Sequence, residues 1–191
     1  MFGKIADTIW KLTGTDKNNI YLIDAEKKII IDAGNRTDRD LIKNLMGRAV
    51  DFEKVDIVIF THLHYDHCGN FDFFPNAEFY ASQQEIDDFK SNPSGTVLDE
   101  VVADKISAID IKPMPEELEG LKRIDTPGHT RGSMCLLYPA EKALFTGDTL
   151  FGTKRHGRVD LPTSDPDGMR KSMMKLIEVP YKVFCPGHDY E

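Results

Sequence analysis

Between positions 62 and 67 the chain sets His62, His64, Asp66 and His67 in six consecutive residues, directly behind the apolar run "VDIVIF". Imidazole and carboxylate groups crowded this closely repel one another or lose solvent together once buried, so a shared cation is what would stabilise them. In extended chain, side chains at i, i+2 and i+4 point one way, which starts His62, His64 and Asp66 in phase and His67 out of phase. A turn through Leu63 to His67 would then aim His62 and His64 at one ion and Asp66 and His67 at a second. Three further segments share this grammar of strand, turn and metal-capable side chain: "LKRIDTPGHT", "KALFTGD" and "KVFCPGHD" deliver His129, Asp148 and His188. His129 would complete the first set and His188 the second, with Asp148 bridging both through its two oxygens. Each ion would keep room for water, the open pattern of a catalytic rather than a structural site. A lone aspartate behind Gly147 reads as a turn former; the strand-end position shared with the dense cluster is what recruits it. His156, the remaining histidine, sits in a basic loop and reads as exposed. Cys68 and Cys185 read as packed small side chains, and Phe71, Phe73 and Phe74 as core or loop packing rather than pocket walls.

These residues need strands that end together. "NIYLID" and "KKIIIDAG" read as two strands joined by a turn at Ala25 to Lys27. Leu41, Ile42, Leu45, Met46 and Ala49 fall at helical spacing. "VDIVIF" has the continuous apolar character of a strand covered on both faces. "AEFYAS" reads as another strand, after which Ser82 caps a helix over 83–90. Residues 91–120 are turn-rich and read as a connecting excursion on the surface. Strands resume at "LKRID", "MCLLY" and "KALFT"; a helix over Pro166–Ile177 follows, with Asp165 as N-cap and Met169, Met173, Leu176 and Ile177 as its buried stripe. "YKVFC" is the last strand. With the four ligand-bearing strands side by side, the candidate ligands gather at one rim, where open α/β architectures hold their ligands.

The chain's 191 residues, 40% hydrophobic and 29% charged, have the balance of one domain spanning 1–191 that buries its own core without staples. Three widely spaced cysteines form no disulfide framework, which fits a reducing, cytoplasmic setting. The start "MFGKIADTIWKLTG" lacks the apolar region of a signal peptide, and no stretch approaches a membrane span. A formal net charge of −8 repels phosphate backbones, so the expected partner is a small-molecule substrate rather than nucleic acid or membrane. Oligomeric state is not legible.

The pieces "THLHYDH", "TPGHT", "FTGDTLF", "GRVDLP" and "CPGHDY", in that order from Ile20 to Tyr190, resemble the metallo-β-lactamase superfamily, and within it the glyoxalase II-like hydrolases. The resemblance implies an α/β fold, an αββα sandwich of two mixed β-sheets flanked by helices. It implies a binuclear centre with His62, His64 and His129 on one ion, Asp66, His67 and His188 on the other and Asp148 between. Two divalent ions are expected, zinc first, with iron and manganese also compatible with such ligands. A hydroxide generated on the metal would attack a small thioester or ester, with Asp66 orienting it. Glyoxalase II proper adds a helical glutathione-binding domain; with the match running to "CPGHDY", the expected activity is glyoxalase II-like without that domain. In "FGTKRHGRVD", Lys154 and Arg158 are the expected substrate contacts, facing an anionic group; the alternative for Arg158 is a pairing with Asp160 that fixes the loop. The rival readings are a mononuclear-iron persulfide dioxygenase, a nuclease-type phosphodiesterase and a non-enzymatic metal-binding module.

Overall fold

A computed structural model describes residues 1–152 and 155–190, and its layers follow from the apolar faces of the strands. Strands β1 (Phe2–Lys4), β2 (Ile9–Thr13), β3 (Asn19–Asp24), β4 (Lys28–Ile31), β5 (Ile57–Ile59), β6 (Glu78–Ala81) and β7 (Ile111–Pro113) form a seven-stranded sheet in chain order. It is antiparallel through β4 and parallel from β4 to β7, with Ile30 opposite Val58 and Val58 opposite Phe79. Strands β8 (Glu117–Leu118), β9 (Leu121–Asp125), β10 (Met134–Tyr138), β11 (Ala143–Gly147) and β12 (Val183–Pro186) form the second sheet, in the order β12-β11-β10-β9-β8. It too is mixed, since β11 and β12 are parallel and the other pairs antiparallel.

Because side chains alternate along a strand, one face of β3, β4 and β5 carries Tyr21, Ile23, Ile29, Ile31, Ile57 and Ile59 into a layer shared with Met134, Leu136, Phe145 and Cys185 of the other sheet. The opposite face, with Ile20, Leu22, Ile30 and Val58, packs against helices. Those are α1 (Arg39–Leu45), α3 (Gln83–Ser91), α4 (Pro93–Val97) and α5 (Glu100–Ile106), which contribute Ile42, Ile86, Val97, Val102 and Ile106. On the far side of the second sheet, α6 (Pro166–Ile177) lays Leu176 against Cys135 and Leu144. The expected αββα sandwich is therefore what forms. Among the described residues no helix is long and apolar enough to cross a membrane.

Three readings need correction. Residues 91–120 are not a surface excursion: α4 and α5 lie within them, capped by the Asn92 and Asp99 side chains, with Val97 and Ile106 fully buried. Pro93, which reads as a breaker, occupies the first helical turn, where its missing N–H costs nothing. The amino-terminal β1–β2 hairpin was not foreseen. In α6 the Asp165 cap and buried Met169 and Leu176 stand as expected, but Ile177, at the helix end, is 84% exposed.

Candidate metal centre

Strands β9, β11 and β12 run in one direction, since β10 is antiparallel to both β9 and β11. They therefore end at one rim, and His129, Asp148 and His188 follow those ends. The end of β5 reaches the same rim, where the Met134 N–H donates to the Thr61 carbonyl at 3.0 Å. Gly147 makes this approach compatible with sterics: its φ is +47°, and a Cβ there would stand 2.6 Å from Thr61 Oγ1. Behind His62 the chain turns through a four-residue helix, α2 (Tyr65–Cys68), for which His64 is the N-cap at φ −62°, ψ 148°. This tight turn brings His67 back under His62, with ring centroids 4.1 Å apart.

All seven candidate ligands converge. His62, His64 and His129 form one group and Asp66, His67 and His188 another; a third, of His62, His67 and Asp148, overlaps both, and within each group the ligand atoms lie within 4.8 Å of one another. His129 Nε2 is 2.8 Å from His64 Nδ1. His188 Nε2 is 3.2 Å from Asp66 Oδ2 and 3.3 Å from His67 Nε2. Asp148 turns Oδ1 toward His67 Nε2 at 3.3 Å and Oδ2 toward His129 Nε2 at 3.5 Å, one oxygen for each half of the cluster.

The electrostatics fit divalent cations. His62 Nε2 and Asp148 Oδ1 are buried without a hydrogen-bond partner, a costly state that a cation would relieve. Burial, with neighbouring imidazoles, holds His62 well below its ordinary value and His64 at about 3, so both rings are neutral and their lone pairs free. His67 is pushed well up: burial opposes its charge, but Asp32, Asp148 and Asp66 outweigh burial. Asp148 stays far below the carboxylate range, since His67, His188 and His129 overcome its desolvation. The carboxylates thus demand positive charge at the middle of the cluster.

A second layer orients the rings. His67 Nδ1–H donates to Asp32 Oδ2 at 2.8 Å, and Asp32 also accepts from the Thr61 N–H at 2.8 Å and the Thr61 hydroxyl at 2.9 Å. Asp32 is buried at a left-handed φ of +57°, a strained conformation for a non-glycine residue. His129 Nδ1–H donates to the Arg158 carbonyl at 2.8 Å. Each bond fixes the tautomer that presents Nε2 to the centre. Sequence reasoning missed both partners. Asp32 looks like the turn residue ending "IIID", and a backbone carbonyl leaves no signature.

Above the cluster lies a cavity of about 440 Å³, walled by Tyr65, Leu98, Phe151, Leu161 and Tyr190 and, on one side, by Arg155, His156 and Arg158. His156 is exposed, as expected, yet borders this space. Arg158 does the same, while its guanidinium holds Asp160 through two 2.9 Å contacts, the pairing anticipated as the alternative. Lys154 lies outside the described residues. Cys68, Cys135 and Cys185 are free and buried, and Phe71 and Phe74 are core.

Residues 13–188 match the family model of the metallo-beta-lactamase superfamily. A probable metallo-hydrolase of Methanocaldococcus jannaschii is 33% identical over 194 residues, covering 94% of this chain and 92% of its own. A hydroxyacylglutathione hydrolase of Francisella tularensis subsp. novicida is 29% identical over 191 residues, covering 95% and 66%. Among solved structures, a protein crystallised in a di-iron-bound form superposes with a TM-score of 0.74 at 23% identity, covering 94% of this chain and 92% of its own.

Proposed function

This chain belongs to the metallo-beta-lactamase superfamily, whose relatives include metal-dependent hydrolases, and from that premise we propose that it hydrolyses a small thioester or ester at a pair of divalent cations, zinc foremost. The observation that carries the reading is the overlap of the ligand groups around Asp148, whose two oxygens face different imidazoles. A single ion would leave half of these buried donors unused. His62, His64 and His129 would hold one cation, Asp66, His67 and His188 the other, with Asp148 between them.

When bound, such cations lower the pKa of water toward about 7 and polarise a carbonyl oxygen. The protein's own part is positioning. Asp66, the least buried ligand, borders the cavity and would orient the attacking water while remaining in contact with His188. Asp32 and the Arg158 carbonyl keep His67 and His129 from rotating. Tyr65, Leu98 and Leu161 exclude bulk water from one side of the scissile bond, and Arg155 and Arg158 supply positive charge where an anionic group of the substrate would sit.

The test is turnover of S-lactoylglutathione and simpler thioesters by purified, zinc-loaded protein; no hydrolysis of any of them removes the reading. Elemental analysis of protein isolated without added metal separates it from iron-based oxygen chemistry, since two zinc ions per chain support hydrolysis and a single iron argues against it.

A further inference from the structure

Glu85 is fully buried, and "SQQE" at 82–85 reads as a helix-capping box in which the glutamate should reach back to the N-cap backbone. Only half of that box forms. Ser82 Oγ accepts from the Glu85 N–H at 3.1 Å, but the Glu85 carboxylate turns away from its own helix. Oε1 accepts the Leu63 N–H at 2.8 Å, and Oε2 accepts the Thr130 hydroxyl at 2.7 Å. Leu63 lies between His62 and His64, and Thr130 follows His129. The remaining contact is with Gly132, whose N–H also stabilises the anion and whose own Cβ would run into Oε2 and the Glu85 backbone.

We infer that Glu85 is a positioning residue for the three-histidine half of the centre: a single buried carboxylate that ties the loop carrying His62 and His64 to the loop carrying His129. The two loops come from different sheets, and the Glu85 side chain spans them. Asp32 stands in the corresponding place behind the other half, through His67. Burial raises the Glu85 carboxyl to about 7, against the bonds that hold it down; an apolar group of like shape would leave the Leu63 N–H and the Thr130 hydroxyl without their acceptor and so release both loops. This inference rests on the binuclear reading above and adds a division of labour to it.

The experiment is a titration of the metal-free full chain with cobalt(II), read by visible absorption and by the stepwise binding constants, with a thermal melt confirming that each variant folds. Glu85→Gln must place its amide NH2 against a donor on one side, and Thr130→Val removes a single hydroxyl donor in case the first variant folds poorly. Both are expected to weaken one of two binding steps by about 10- to 100-fold and leave the other unchanged. Thr130→Ser restores the first step. Asp32→Asn, which reaches His67 directly and His62 only through Thr61, weakens mainly the other. Variants that match wild type at both steps, or weaken both steps equally, overturn the inference while leaving the binuclear centre intact. Wild-type protein that takes up no cobalt removes the centre and the inference together.

Discussion

Asp148 offers one oxygen to each half of the cluster, and asparagine at this place keeps the shape but loses the charge and one acceptor. Asp148→Asn is expected to lower kcat by more than about a hundredfold and the metal content from two ions toward one, measured by steady-state kinetics and elemental analysis; full activity with two ions would contradict the bridging role. Glu85 makes a separate prediction about stability. Its folded value, about 7, lies above its ordinary 4.5, so its contribution is fully present below pH 4.5 and is lost as pH rises through 7. In metal-free protein, wild type should lose stability relative to Glu85→Gln across this window, by up to ~1.4 kcal/mol per pH unit, in paired urea titrations in which the histidine contributions cancel. A difference that does not change with pH would mean that Glu85 titrates normally. The seven candidate ligands were legible because their types and strand-end spacing are local. Asp32, Glu85 and the Arg158 carbonyl were not, because each matters through a contact 22 to 45 residues away along the chain.

At the scale of elements, legibility followed length and the number of apolar faces. Strands β3 to β5 announced themselves through isoleucine and valine, β6 through Phe79 and Tyr80, and α6 through Asp165, Pro166 and a clear stripe. The helices α4 and α5, of five and seven residues, are too short to complete a recognisable period, and their burial is decided by the sheet beneath them. The β1–β2 hairpin depends on partners it finds only in three dimensions, including the stacking of Phe2 on Trp10. The corrected view of α5 is measurable. Ile106→Ala should cost about 2–4 kcal/mol in urea unfolding, where a residue on a surface excursion would cost under about 0.5. Because α4 and α5 also support Leu98 at the cavity wall, held at φ +64°, the same variant should raise KM more than it lowers kcat.

For the molecule as a whole, the centre is a junction between two sheets whose ligand-bearing loops bring together buried groups, His62 Nε2 and Asp148 Oδ1 among them, that have no hydrogen-bond partner. Two divalent ions would halve the formal charge of −8 and hold both sheet ends against the same point. Removing them with a chelator should lower Tm by roughly 10–20 °C, from about 2.7 kcal/mol per ion at a hundredfold excess over Kd; an unchanged melt would mean that the sheets need no ion to stay closed. The cysteines carry a different consequence. All three are sealed inside, with burial raising Cys68 well above its ordinary value, Cys135 to about 11 and Cys185 to about 12. The acyl group of a thioester substrate would therefore meet no accessible protein thiolate able to take it by thiol–thioester exchange, which leaves water as its acceptor.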